Sequence, residues 1–259
     1  MQRSRRDFGR IRHLSRTIAD ARGRHRLDNG GLSFKELHMS TKSVALITGA
    51  NKGIGLAIAR QLGEQNYSVW VGCRDLARGE KAVADLRAAG VDAFPIVIDV
   101  TDDASVRAAA ARLAAATGKL DALVNNAGIS LGAFPPASEE SVADIQAMFD
   151  VNTFGPVRVT QAFLPLLRQS GAGRIVMMSS SLGSVTATLD LASAFWPVVA
   201  AGYCASKSAL NMFTAKFAKE LAAEGIKVNA ADPGYTATDL NGHSGPRSVD
   251  EAAAIAVRL

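Results

Sequence analysis

The chain reads as a doubly wound, mostly parallel α/β sheet in three layers, and three observations predict this. Short β-branched runs alternate with longer Ala-rich stretches whose charges recur at helical spacing. The runs are apolar almost throughout, the pattern of strands covered on both faces. A glycine-rich turn joins the first run to the stretch that follows it. Such alternation calls for parallel pairing, and right-handed crossovers then place helices on both faces of one open sheet.

The predicted strands are 44–48, 68–72, 94–100, 120–125, 174–179 and 226–231. The predicted helices between them are 54–65, 75–89, 103–117, 138–167 and 203–223, with a further helix beginning near Val249. Glu139 and Glu140 open the long fourth helix, where acids suit the positive end of the dipole and need no catalytic role. Two Pro-containing stretches, 131–137 and 231–245, follow strands and belong at the carboxyl edge of the sheet, where such folds bind ligands.

Composition narrows the function classes. Only Cys73 and Cys204 are present among 259 residues, which excludes a disulfide framework or a multi-cysteine zinc site and suits a reducing, cytoplasmic setting. Of the four histidines, His13, His25 and His38 lie near the start and His243 near the end; no metal constellation is visible. The longest uncharged apolar run, 191–204, contains Ser193, Pro197 and Gly202 and is shorter than a membrane span. The net charge of +5 is unevenly placed: residues 1–40 carry ten Lys or Arg against four Asp or Glu, and the rest carry nineteen against twenty. The neutral body argues against nucleic acid as a partner. Residues 1–40 are expected to be a basic, disordered extension. Asp7, Asp20 and Asp28 depart from transit-peptide composition. Phe8, Ile11, Leu14 or Ser15, and Ile18 share a helical face, and Met39 is an alternative start.

The first strand ends in Thr48-Gly49-Ala50-Asn51-Lys52-Gly53-Ile54-Gly55. Small residues between a strand and a helix let backbone approach a pyrophosphate, which the helix N-terminus favours. Further on come Asp99-Val100 after the third strand, Asn125-Asn126-Ala127-Gly128 after the fourth and Asn152 in the long helix. Ser180 follows the fifth strand, Tyr203-x-x-x-Lys207 opens a helix, and Pro233-Gly234 follows the sixth strand. From about Lys42 to the C-terminus these motifs resemble the single-domain branch of the short-chain dehydrogenases/reductases.

That resemblance implies a Rossmann-like domain over 41–259 and a hydride exchange between a nicotinamide and a carbonyl or alcohol substrate. Tyr203 and Lys207, four apart on a helix, share a face. A free phenol titrates near pH ~10, too high for proton transfer at neutrality, and a nearby ammonium favours the phenolate. By resemblance, Tyr203 is the general acid/base and Lys207 also holds the nicotinamide ribose. Ser180 bonds the substrate oxygen and Asn152 positions a relay water. Ser179 and Ser181 flank Ser180, which is preferred as the second serine of the family pattern. The cofactor-binding set implied is Gly49, Asn51, Lys52, Gly53, Ile54, Arg74, Asp99, Val100, Asn126, Ala127, Gly128, Tyr203, Lys207, Pro233, Gly234, Thr236 and Thr238.

Enzymes of this fold that use NAD place an acid at the end of the second strand; here Cys73 stands there and Arg74 follows. A guanidinium binds a 2′-phosphate bidentately, and Lys52 can reach the same group. Asp75 is either the cap of the next helix or, in another register, the ribose reader. NADP(H) is therefore preferred over NAD(H).

Two departures from the family stand out. Twenty-two residues separate Ser180 from Tyr203, and the insertion carries Phe195, Trp196 and Pro197, either a wall for an apolar carbonyl compound or a surface loop or dimer contact. A similar insertion, the Asn51-Lys52-Gly53 turn and a Tyr235-x-x-Thr238-Asp239-Leu240 run mark carbonyl-reductase-like members. The chain ends at Leu259 with no sequence for the family's last edge strand, so a C-terminally truncated domain with an open sixth strand is expected. A homo-oligomer is left open. The alternative function is a dinucleotide-binding sensor or scaffold without turnover, and the plain Tyr-x-x-x-Lys spacing argues against the enoyl-reductase variant.

Overall fold

The computed structural model describes residues 42–132 and 134–259. The basic extension, the helical face at Phe8, Ile11 and Ile18, Met39 and the three N-terminal histidines lie outside the described residues.

Six strands form one sheet: β1 Ser43–Thr48, β2 Tyr67–Cys73, β3 Ala93–Val97, β4 Ala122–Asn125, β5 Arg174–Met178 and β6 Lys227–Ala231. All five pairings are parallel, in the order β3-β2-β1-β4-β5-β6. The order reverses between β1 and β4, so the crevice above their carboxyl ends is the switch point where ligands of such folds sit. Eight α-helices are formed by the described residues: α1 Gly53–Glu64, α2 Leu76–Ala88, α3 Asp103–Thr117, α4 Val142–Phe149, α5 Gly155–Arg168, α6 Val185–Leu189, α7 Ala201–Leu221 and α8 Val249–Val257.

Strand alternation divides the core between the two faces. Leu46, Trp70, Leu123, Ile175 and Met177 point to one side, where they meet Val106, Leu113, Phe163, Leu210 and Phe217 from α3, α5 and α7. Ala45, Ile47, Val71, Val124 and Val176 point to the other, against Ile58, Leu62, Val83 and Ala253 from α1, α2 and α8. Both faces are buried, which is why the strands read as continuous apolar runs. Phe163 is wholly buried, and its removal would cost roughly 3–5 kcal/mol.

Helix ends follow their capping residues. The side chains of Asp75, Asp102, Ser141 and Ser248 accept backbone N–H groups at the starts of α2, α3, α4 and α8. Asp75 is thus a cap. The third strand is shorter than expected, although Ile98 N still donates to Cys73 O at 2.9 Å.

The expected single helix over 138–167 is corrected. It starts only at Val142, capped by Ser141, and a π-turn, Asp150–Phe154, interrupts it before α5. Pro156 has no N–H to return to Asn152 O, so regular α-helical bonding fails there. Glu139 and Glu140 consequently lie before the helix. Glu140 Oε2 instead accepts from Gly202 N at 2.8 Å, at the start of α7. The edge of β6 away from β5 is unpaired among the described residues, and no helix of the described residues is long and apolar enough to cross a membrane.

Candidate active site

The glycine turn between β1 and α1 is built from two strands. Gly49 and Gly53 have φ of +64° and +58°, the left-handed region that glycine enters at least cost. A Cβ on Gly55 would lie 2.5 Å from Asn126 Nδ2 and 2.7 Å from Gly49 O, so only glycine lets the helix press against the turn. Asn126 Nδ2 donates to Thr48 O and Gly49 O at 2.9 and 3.2 Å. Thr48 Oγ1 accepts from Asn126 N and Ala127 N, both at 3.0 Å. Gly49, Asn51, Lys52, Gly53, Ile54, Asn126 and Ala127 are therefore brought together at the switch point. Lys52, at the N-cap of α1, gives no side-chain acceptor to its first amides. Donors without side-chain partners above small residues are what a pyrophosphate needs. The residues present fit a dinucleotide.

Arg74 and Asp99 face each other at the ends of β2 and β3. Arg74 is exposed and forms no ion pair among the described residues, whereas Asp75 is occupied at Arg78 N, 3.0 Å away. Burial tends to raise Asp99, but hydrogen bonds from Thr101 and the charges of Arg74 and Arg158 prevail and hold its carboxyl below the usual range. Val100 is buried beneath Gly155, the first residue of α5, and its carbonyl accepts from Arg158 Nη1 at 2.6 Å. The Lys52 ammonium forms an exposed ion pair with Asp239, which also bonds His243 Nε2 at 2.8 Å. An exposed acid four residues into the segment after Tyr235 competes for it.

Tyr203 and Lys207 lie on one face of α7, with the Lys207 ammonium 5.6 Å from the Tyr203 ring centroid. Lys207 is buried, Nζ donates to Met178 O at 2.7 Å, and burial lowers its pKa to about 8. A Cβ on Gly128 would lie 3.8 Å from that Nζ and 3.4 Å from Asn152 Oδ1, so Gly128 borders the same small space. Tyr203 departs from expectation. Burial first, then the charges of Asp232 and Cys204, push its phenol up to about 12, with the Ser180 side chain acting the other way. The expected lowering by Lys207 does not govern Tyr203; burial is the largest effect.

Asn152 is wholly buried in the π-turn. Its Oδ1 accepts from Ile129 N, and its Nδ2 donates to Ile129 O, both at 2.8 Å, and also to Ser206 Oγ at 3.1 Å. The side chain thus fixes the strand-end loop against α7. Ser180 begins the Ser181–Gly183 turn, with its Oγ accepting from Leu182 N at 3.2 Å, and belongs to the Tyr203 environment.

After β6, Pro233 O accepts from Arg247 Nη1 at 2.8 Å and from Thr236 Oγ1 at 3.1 Å. Thr238 caps a short turn and its methyl lies 3.9 Å from where a Gly53 Cβ would be, so this segment borders the glycine turn. Gly234 N donates to Asp232 Oδ1 at 2.9 Å. In the insertion, α6 and the turns after it leave Val185, Leu189, Leu191 and Trp196 exposed and Phe195 half-buried.

Several contributors escaped the motif reading. Thr48 lay inside the quoted glycine motif, but its clamp on residues 126 and 127 spans strands distant in sequence. Ser206 donates to Tyr203 O at 2.7 Å while accepting from Asn152, and sits between the two motif residues of α7 without a motif role. Glu140 and Asp232 are acids in loops, where no periodicity announces them.

The family model for short chain dehydrogenases matches residues 43–248. A short-chain dehydrogenase of Penicillium roqueforti is 38% identical over 226 residues, covering 84% of this chain and 88% of that one. The (-)-isopiperitenone reductase of Mentha piperita is 33% identical over 287 residues, covering 83% and 91%. Among solved structures, NADPH-bound carbonyl reductase from chicken fatty liver superposes with a TM-score of 0.73 at 31% identity, covering 82% of this chain and 88% of that one.

Proposed function

The chain belongs to the short-chain dehydrogenase/reductase family of oxidoreductases, and from that premise we propose that it is an NADPH-dependent reductase of small carbonyl compounds with Tyr203 as general acid/base. The observation that carries the reading is the placement of Tyr203 and Lys207 on one face of α7, beside Gly128 and the Ser180 turn. A reduced nicotinamide dinucleotide, when bound, supplies the hydride.

The protein's own groups do the rest. The Tyr203 Oη holds a proton at neutral pH and delivers it to the carbonyl oxygen, which Ser180 orients. Lys207, mostly an ammonium below pH 8, places a buried positive charge beside the phenolate that remains. Asn152 keeps the 129 loop and α7 in register. At the far end Arg74 holds the 2′-phosphate, supported by its exposure and by the occupation of Asp75 as a cap. The NADPH in the carbonyl reductase neighbour supports the same choice. The exposed apolar side chains between Ser180 and Tyr203 support a substrate with an apolar body. Residues 41–259 form the catalytic domain in this reading, and the free thiols Cys73 and Cys204 support a cytoplasmic setting.

Tyr203→Phe tests the assignment. Reduction, followed as NADPH absorbance decay across aldehydes and ketones, should vanish, while NADPH binding by fluorescence stays within a few fold of wild type. Retained turnover would reject Tyr203 as the donor. Binding without turnover by wild type across the panel would favour a sensor instead.

A further inference from the structure

The helix that carries Tyr203 is not capped by its own sequence. Ala200 stands at the N-cap of α7 and offers no side-chain acceptor, so the amides of the first turn lack a local partner at the positive end of the dipole. Glu140, 62 residues earlier in the chain, supplies one: its Oε2 accepts from Gly202 N at 2.8 Å. Gly202 makes the approach possible. A Cβ there would lie 2.6 Å from Glu140 Oε1 and from Met148 Cε, and 3.0 Å from Ile145 Cγ1, so a larger residue would push the carboxylate and α4 away from the helix. Glu140 is half-buried, whereas Glu139 beside it is exposed.

This contact is the second of two ties on the segment that leaves β4. At the head of the segment, Asn152 holds Ile129 N and O and reaches α7 through Ser206 Oγ at 3.1 Å. At its end, Glu140 reaches α7 at Gly202. The two landing points, 202 and 206, stand on either side of Tyr203 in the chain. The segment after β4 is therefore fastened at both ends to the turn of α7 that carries the proton donor.

We propose that Glu140 is a positioning residue of this site: as the tertiary cap of α7 it fixes the segment after β4 against the Tyr203 turn, and so sets the space in which a carbonyl substrate meets the phenol. The inference rests on the reading of Tyr203 as proton donor. Glu140 acts through the Gly202 amide and is not itself a catalytic residue. The glycine turn and Arg74 take no part in either tie, so losing the second tie should reach the carbonyl compound and leave NADPH alone.

Glu140→Ala removes the acceptor. With benzaldehyde as the probe carbonyl and saturating NADPH, KM should rise on the order of tenfold, the worth of one hydrogen bond to a charged group. The kcat and the Kd of NADPH should stay within about twofold of wild type, the pattern of lost substrate binding rather than lost chemistry. Glu140→Gln keeps an acceptor oxygen at the same reach and should recover most of the loss, and Glu139→Ala should change nothing. In the ligand-free protein, hydrogen–deuterium exchange at the Gly202 amide should quicken in Glu140→Ala and stay at the wild-type rate in Glu139→Ala. An unmoved KM or unmoved exchange overturns the proposal. So does a KM, kcat and NADPH Kd that worsen together and are not recovered by Glu140→Gln, since that is a general loss of structure. If Glu140→Ala does not fold, Glu140→Asp withdraws the carboxylate by one methylene and reads the same split. Exchange needs no turnover, so failure of the tie is distinct from failure of the Tyr203→Phe activity test.

Discussion

Replacing Arg74 by Asp should move the cofactor preference from NADPH towards NADH, and the structure sets the size of the effect. Arg74 is exposed at the end of β2 and forms no ion pair among the described residues, so its guanidinium can meet a 2′-phosphate without breaking one. A hydrogen bond to a charged group is worth about 1.5–3 kcal/mol, and each 1.4 kcal/mol is about tenfold in affinity. The expected loss of NADPH affinity is therefore one to two orders of magnitude, near the lower end because the site is open to solvent and screened by salt. Asp239, paired with the Lys52 ammonium, competes with the phosphate for it. Lys52→Ala in the Arg74→Asp background should deepen the loss by less than threefold, and Asp239→Asn should let Lys52 recover part of it. The new acid also lies near Asp99, so Asp99 should titrate higher in the variant, in the absence of the Arg74 charge that now lowers it. The assay is the Kd of each cofactor by fluorescence titration at fixed ionic strength. Wild type preferring NADH, with Arg74→Asp silent, would refute the reasoning and return Asp75 as the ribose reader.

Lys207 titrates below its unfolded value, so the unfolded chain binds the extra proton and stability should rise as pH climbs from about 8 towards ~10.4; Lys207→Met should abolish that rise in Tm. Asp121, mostly buried, accepts from Val44 N and Ser170 Oγ, both at 2.7 Å, and pairs with Lys119 at 2.9 Å. Asp121→Ala should cost about 2–3 kcal/mol, a Tm fall of roughly 4–12 °C by calorimetry. Burial opposes ionisation of Asp121, yet the bonds from Ser170, Lys119 and Val44 hold it low. Its contribution is therefore complete above the unfolded value near ~3.9 and lost as pH falls through the folded one, an acid step that Asp121→Asn should lack. Deleting residues 1–38 should leave turnover and Tm unchanged, because that segment carries charge but none of the motif residues; a Tm drop of several degrees would show that it docks on the domain.

The sheet was legible because its strands are buried on both faces, and burial writes itself as unbroken β-branched runs such as 44–48 and 174–179. A helix boundary was legible where a cap candidate announced it, as at Asp75. The long helix misled because residues 142–168 keep apolar spacing straight through a π-turn, whose causes are the missing N–H of Pro156 and the side-chain bonds of Asn152. The glycine turn and the Tyr203–Lys207 pair were readable as local spacing. The burial of Tyr203 and the charge of Asp232 that adds to it were not, because both arise from tertiary packing, Asp232 from a loop 29 residues away in sequence. The engagement of Lys52 by Asp239 was hidden for the same reason, since partners 187 apart leave no pattern.

The clamp between Thr48 and Asn126 also has a kinetic meaning. The hydrogen bonds that shape the glycine turn close a loop of 78 residues, and closure over such a span is completed only when β1 and β4 have paired. A ligand that needs this turn can recognise only chains that have already crossed that step. It should therefore retard unfolding and leave the rate of folding nearly unaltered. During synthesis the same geometry delays ligand capture until residue 127 has left the ribosome, so the nascent β1–α1–β2 segment waits unliganded, held by its packing alone.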